Sequence, residues 1–280
     1  MAGVEVVVVA FGASGLLDDC LGSLGGEFPV LVVDNSSDPS VEAVVEGHHA
    51  RYLDPGRNLG FAAGVNVALT HRNHPDHDVL LLNPDAQIDP AGIGRLKQCL
   101  DGTPGLACVA PAQVDRSGGD PARVGWPFPS PAGAWVEAVG LGSLRRKVDF
   151  LIGSVLLVRS AALLDVGLFD ERFFLYAEET DWQRRAHERG WGVKLCPEVT
   201  AIHKGAGTGG DITIREIYFH SSHERYIRKH YGSSGWRVYR GAALAGSLVR
   251  ALVLPGGRGR EAAARFHLYR QGPCRLESQL

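Results

Sequence analysis

Residues Val4–Ala10 form a nearly unbroken run of β-branched apolar side chains, and the next hundred residues repeat that theme at short intervals. A run of this kind fits a strand covered on both faces, not one with a wet side. Leu16–Leu24 then reads as a helix stopped by Gly25-Gly26, and Val30–Val33 as a second strand. Val41–Glu46 is a short helix, Arg51–Leu53 a third strand, and Leu59–His71 carries apolar residues at helical spacing. Val79–Leu82, Ile93–Leu100 and Ala107–Ala110 continue the alternation as strand, helix and strand. Alternation of this kind implies right-handed βαβ crossovers and an α/β fold with a mostly parallel sheet. The 280 residues suit one large α/β domain or two intimately packed halves.

Past residue 112 the pattern changes. Ser117–Ala134 is rich in Gly and Pro and reads as a long surface loop of the kind that is often functional. Val148–Val158 is strand-like around Gly153-Ser154, and Glu178–Arg189 is a helix closed by Gly190. Val193–Cys196 and Val199–His203 read as strands, and Ile212–Tyr231 and Trp236–Leu254 as helices. The expected organisation is a domain over 1–212 in two halves, 1–112 and 113–212. A helical extension over 213–280 completes the chain.

In a parallel α/β sheet ligands bind beyond the carboxyl ends of the strands, so the residues there carry the functional signal. After the first strand comes Gly12-Ala13-Ser14-Gly15-Leu16-Leu17, which also opens many dinucleotide-binding dehydrogenases. Here Asp18 stands where the third glycine belongs, and no Tyr-x-x-x-Lys pair is present, so a plain strand-to-helix turn fits better. After the second strand, Asp34-Asn35-Ser36-Ser37 suits either a base-accepting Asp or a helix-capping turn. Arg57–Asn66 puts a cation and backbone amides at a helix N-terminus, a natural anion site. After the fourth strand comes Asn83-Pro84-Asp85, where a hydrophobic strand ends abruptly in oxygen ligands. That suits Mg²⁺ or Mn²⁺, which take carboxylate and phosphate oxygens and need few protein ligands; a structural turn is the alternative.

These features together resemble the inverting family 2 glycosyltransferases of GT-A fold, in particular their rhamnosyltransferase-like branch. The resemblance spans roughly Val4 to Gly232. It rests on V-V-D-N-S-S, R-N-x-G-F-A-x-G-x-N, L-L-N-P-D, and the block from Phe150 to Trp182 that ends in Glu178-Glu179-Thr180-Asp181-Trp182. By that resemblance Ala10, Phe11 and Asp34 line the nucleotide, and Arg57 lies near the base or diphosphate. Asn83 and Asp85 hold the nucleotide-sugar end, with Asp85 as the metal ligand; Asn83 occupies the position that is acidic in a strict D-x-D motif. His203 matches a histidine that approaches the metal or diphosphate. Glu179 matches the catalytic base, and its place at a helix N-terminus is expected to keep it ionised. Gly153, Ser154, Glu178, Asp181 and Trp182 form the expected acceptor side. Asp181 is also placed for an i,i+4 pair with Arg185, and Trp182 for a core position.

The implied activity is transfer of a sugar from a nucleoside-diphosphate sugar, dTDP-rhamnose or another deoxysugar nucleotide first, to a hydroxyl of a saccharide, lipid-linked or small-molecule acceptor. A divalent cation assists. Two further readings stand beside it: a non-catalytic nucleotide-sugar or carbohydrate-binding protein of the same fold, and an NAD(P)-dependent dehydrogenase. The absence of G-x-S-x-G and of G-x-x-x-x-G-K-[ST] argues against hydrolase and P-loop chemistry. A net charge of −2 provides no field for nucleic acid. The histidines at 71, 74 and 77 lie in a connecting loop without a scaffold for zinc. The five scattered cysteines read as idle reduced thiols and fit a cytoplasmic location. Trp236–Leu254, apolar with interspersed arginines, leaves three readings open: core packing, a homodimer interface, or peripheral contact with the inner face of a membrane.

Overall fold

In the computed structural model β1 (Val4–Ala10) runs near the middle of an eight-stranded sheet and is buried along its whole length. The structure describes residues 3–115, 119, 121–205 and 212–280. Strands β2 (Val30–Asp34), β3 (Arg51–Leu53) and β4 (Asp78–Leu82) join β1 in parallel, as the alternation requires. Further along are β5 (Ala86–Gln87), β6 (Leu106–Val114), β9 (Val155–Val158) and β10 (Gly192–His203). The order is β3-β2-β1-β4-β9-β6-β10-β5. β6 and β10 are parallel, whereas β9 lies antiparallel between β4 and β6, and β5 antiparallel to β10. The sheet is therefore mixed at its centre, not parallel throughout.

Alternate residues of β1 serve two cores. Val6, Val8 and Ala10 pack with α1 (Ser14–Ser23), α2 (Pro39–Gly47) and α4 (Pro90–Asp101). Val7 and Val9 pack with α3 (Gly60–Thr70), α6 (Ser160–Val166) and α7 (Glu178–Glu188). Helix starts are written locally. Asp38-Pro39, Asp89-Pro90 and Ser130-Pro131 each place a side-chain acceptor before a proline already set at the helical φ.

Two expected strand regions are rearranged. Val148–Val158 divides into β8 (Phe150–Leu151) and β9, with the turn at Gly153-Ser154 between them. The two strands expected over 193–203 are one strand, β10, whose register slips between Cys196 and Thr200. Of the loop Ser117–Ala134, residues 117, 118 and 120 lie outside the described residues. The remainder contains β7 (Gly125–Trp126), paired with β8, and the start of α5 (Pro131–Ala138).

The chain divides into two compact units. The sheet unit takes Met1–Trp126, Val148–Phe174 and Glu178–Gly209. The helical unit takes Pro127–Lys147, Leu175–Ala177 and Gly210–Leu280, so it draws in two segments from the middle of the chain as well as the C-terminal region. Within it are α5, a 3-10 turn at Gly142–Leu144, α8 (Ile212–Val253), α9 (Gly256–Gln271) and α10 (Pro273–Glu277). The two helices expected over 212–254 are the two parts of α8, separated at Gly232, whose backbone is non-helical with φ 67° and ψ −173°.

Candidate active site

Four segments of the sheet unit meet at the carboxyl ends of β1, β2 and β4. Asp85 comes just after β4 in a tight turn closed by Ala86 N donating to Asn83 O at 3.0 Å. His203, the last residue of β10, pairs with Ala86 of β5, and this brings its Nε2 to 3.3 Å from Asp85 Oδ1. Residues 118 positions apart in the chain thus form a carboxylate–imidazole pair. Asp85 is buried, and its charge, after burial, pushes the Cys20 thiol upward. One carboxylate and one imidazole nitrogen, with the nucleotide's own phosphate oxygens, make a donor set that fits Mn²⁺ or Mg²⁺.

Asn83 holds the site together through its backbone. Its N–H donates to Ser154 O at 2.8 Å, which ties the β4 turn to the β8–β9 turn. The Ser154 hydroxyl is buried and donates to Gln113 Oε1 at 2.9 Å. Gly153 faces Glu179: a Cβ at this position would lie 3.5 Å from Glu179 Cβ and 4.0 Å from the Phe61 ring. The turn therefore links the Asp85–His203 pair to Glu179, with room left by the missing side chain.

Glu178 and Glu179 open α7 just after Tyr176 and Ala177, which both adopt left-handed backbone with φ of 68° and 64°. Two consecutive non-glycine residues of this kind are costly and cluster where a backbone must aim a functional group. The expectation that the helix N-terminus keeps Glu179 ionised is corrected. Burial outweighs the backbone N–H groups of Glu179 and Thr180 and pushes its carboxyl up to about 7. Glu178 is raised well above the ordinary carboxylate range, by burial first and by the neighbouring Glu179 second. Its Oε2 is buried and has no hydrogen-bond partner among the described residues.

Asp181 and Trp182 are corrected as acceptor residues: both are fully buried. Asp181 accepts from Arg185 Nε at 3.0 Å, one helical turn on. The Trp182 indole donates to Gly167 O at 2.9 Å and stacks on Phe169. A residue two positions from Glu179 on a helix faces a different side, so the acidic block is divided between site and core.

On the nucleotide side, Phe11 stands half-exposed at the end of β1, while Ala10 is buried and its carbonyl accepts from Asn35 N at 2.9 Å. Asp34 is fully buried. Its Oδ1 accepts from Ser36 N at 2.8 Å and from the Ser36 hydroxyl; its Oδ2 accepts from Asp38 N at 3.0 Å and Tyr52 OH at 2.9 Å. Those four bonds use about all the lone-pair directions a carboxylate has. Arg57 is exposed in the turn that leads to α3.

Three positioning residues carry no clear signal in the sequence. Gln183 is buried; it exchanges two hydrogen bonds with the Leu151 backbone, at 2.7 and 2.9 Å, and donates to Glu179 O at 3.1 Å. Asn66 exchanges bonds with the Phe169 backbone, both at 2.9 Å, and fixes the segment ahead of α7. Tyr52 closes the Asp34 cluster. Asn66 ends the R-N-x-G-F-A-x-G-x-N motif, which gives it a place but no role; nothing local marks Gln183 or Tyr52. Cys99 and Cys196 are also corrected: they form a disulfide between α4 and β10, and Cys20, Cys108 and Cys274 are free. Cysteine usage therefore no longer supports the cytoplasmic expectation. Among the described residues no helix is long and apolar enough to cross a membrane.

Residues 5–166 match glycosyl transferase family 2. The chain belongs to that family. It is 31% identical over 258 residues to the N-acetylglucosaminyl-diphospho-decaprenol L-rhamnosyltransferase of Mycobacterium tuberculosis, covering 81% of this chain and 83% of the relative. It is 25% identical over 232 residues to the low-salt glycan biosynthesis hexosyltransferase Agl10 of Haloferax volcanii, covering 80% and 72%. Among solved structures it resembles the mannosyltransferase PcManGT of Pyrobaculum calidifontis, in complex with GDP-Man and Mn²⁺, with a TM-score of 0.60 at 15% identity over 99% of this chain and 83% of that one. It also resembles glucosyl-3-phosphoglycerate synthase of Mycobacterium tuberculosis, in complex with Mn²⁺ and UDP, with a TM-score of 0.58 at 13% identity over 81% and 80%. These likenesses establish the GT-A architecture. The chain is an inverting glycosyltransferase, and the dehydrogenase and binding-only readings fall away.

Proposed function

We propose that this glycosyltransferase moves a deoxysugar, rhamnose from dTDP-rhamnose first, onto a hydroxyl of a saccharide carried on a lipid diphosphate. The rhamnosyltransferase relative, whose name gives a decaprenol-linked acceptor, supports both the donor and the lipid-linked acceptor class. The observation that carries the site assignment is the Asp85–His203 pair, joined through the Asn83–Ser154 hydrogen bond and Gly153 to Glu179.

In this reading Asp85 and His203 hold a divalent cation, Mg²⁺ or Mn²⁺, which when bound neutralises charge on the leaving diphosphate. Phe11 offers an apolar face to the nucleotide base. Asp34 acts chiefly through Ser36 and Tyr52, holding the loop that borders the base; a direct base contact requires one of those bonds to yield. Arg57 reaches the diphosphate, and Asn83 borders the sugar. Glu179 accepts the proton of the acceptor hydroxyl as that oxygen bonds to the sugar's C1 and the bond from C1 to the diphosphate oxygen breaks. The products are the glycoside, with C1 inverted, and the nucleoside diphosphate. Glu178, adjacent and with its carboxyl raised well above the ordinary range by burial, orients the acceptor with Gly153 and Ser154 at its border. Location at the inner face of a membrane, by peripheral contact, accords with a lipid-linked acceptor.

The test is nucleotide release from a panel of nucleoside-diphosphate sugars, with Mg²⁺ or Mn²⁺ and polyprenyl-diphosphate saccharides as acceptors. dTDP-rhamnose is expected to turn over fastest. A clear preference for GDP- or UDP-hexoses overturns the donor assignment. Asp85→Ala is expected to abolish the dependence on divalent cation together with activity; unchanged cation dependence removes Asp85 from the metal.

A further inference from the structure

We propose that the helical unit carries a docking face for an anionic lipid surface, formed by α5, the turn after it and the C-terminal end of α8. The two helices lie against each other. A Cβ at Gly246 would come within 3.0 Å of Ala138 Cα, Gly241 sits against the Trp135 ring, and Arg250 donates to Glu137 O. Gly246, Val249, Arg250 and Val253 fall at i, i+3, i+4 and i+7, so Val249 and Val253 continue the stripe that touches α5. Beyond the contact the apolar side chains are uncovered. Leu252 and Val253 are 78% and 71% exposed, and Val139 and Leu144 are 66% and 69% exposed. Single exposed apolar residues are ordinary, but several on two helices that touch, and on the turn after one of them, mark a surface that meets something.

Charge selects the occupant. Residues 127–147 and 232–260 together hold eight Arg or Lys and one acidic residue, Glu137, in a chain whose net charge is −2. Arg146, Lys147, Arg258 and Arg260 are exposed in the segments bordering the apolar group. A second copy docked through the same face would set these cations against each other, because a two-fold interface is self-facing. An anionic headgroup layer over an acyl interior complements both features: cations meet headgroups while Val and Leu enter the apolar boundary. The inference rests on the lipid-linked acceptor reading and deepens it, but vesicle binding is measured without any sugar transfer, so either can fail alone.

The experiment is flotation of the full chain with vesicles of phosphatidylcholine, with and without phosphatidylglycerol, at low and high salt. The chain is expected to float with the phosphatidylglycerol vesicles and to bind at least about tenfold more weakly to phosphatidylcholine alone or at high salt. Val249→Asp with Leu252→Asp is expected to abolish flotation, and Arg258→Glu with Arg260→Glu to weaken it. Both pairs should retain the thermal unfolding midpoint and the rate of nucleotide release with a short soluble acceptor. Failure of the folded wild-type chain to float with phosphatidylglycerol vesicles overturns the proposal, as does unchanged flotation of the Val249/Leu252 variant. A dimer in light scattering that the same variant converts to monomer also overturns it, and assigns the face to a second copy.

Discussion

Glu179 is the residue where sequence and environment pull apart. A carboxylate at a helix start is favoured by the dipole, yet burial, with Gly153 packed against its side chain, raises it to about 7. A base must be unprotonated to accept a proton, so the rate is expected to climb with pH and reach half its plateau near pH 7. A pH–rate profile checks this, and a limb near pH 4.5 would remove Glu179 from that role. Glu179→Gln is expected to lower transfer by roughly 10²–10⁴-fold while donor binding by calorimetry persists. Glu178 carries a separate signature. Its folded carboxyl titrates above the ordinary 4.5, so the folded state holds the proton more tightly than the unfolded chain. The folded state is therefore penalised increasingly as pH rises past the unfolded value. Glu178→Gln removes that penalty and is expected to raise the unfolding midpoint more at pH 8 than at pH 5, measured by calorimetric scans.

At the scale of elements, the site depends on how closely backbone segments approach. Gly60 opens α3 with φ of 78°, and a Cβ there would meet Phe174 O at 2.3 Å. Phe61 N donates to that same carbonyl at 2.7 Å, so α3 and the segment leading to α7 are fastened at one point. Gly60→Ala combines left-handed strain with overlap and is expected to cost roughly 2–4 kcal/mol, measured by urea unfolding. Asn66 fastens the same segment six residues along α3. The register slip in β10 sets where His203 falls opposite Ala86, and hence whether its imidazole reaches Asp85. Such a slip leaves no mark in hydrophobic alternation, which is why the alternation suggests two strands in place of one.

At the scale of the whole chain, the sheet unit and the helical unit each interleave distant segments. The Cys99–Cys196 disulfide joins residues 97 positions apart. Thiol titration of the unfolded, unreduced chain is expected to find three free thiols, and five after reduction. Closing a loop of that length is expected to stabilise by about 2–4 kcal/mol, seen as a lower unfolding midpoint under reductant. Five thiols without reductant would contradict the pairing. The helical unit takes in Pro127–Lys147 because α5 packs along α8, a relation between residues about a hundred positions apart that no local pattern carries.

What the sequence by itself determined is what depends on neighbours in the chain. Apolar periodicity and capping residues such as Asp38 and Asp89 specify strands and helices through contacts within a few residues. Asn83-Pro84-Asp85 and Glu178-Glu179 stand out as candidate site positions because strand ends and helix starts are where an α/β sheet presents ligands. Tertiary structure alone decided the rest. It brought His203 to Asp85, placed Asp181 and Trp182 in the core while leaving Glu179 at the site, and paired Cys99 with Cys196. It also raised the Glu179 carboxyl to about 7, because desolvation is set by everything packed around a group and not by the residues next to it in the chain.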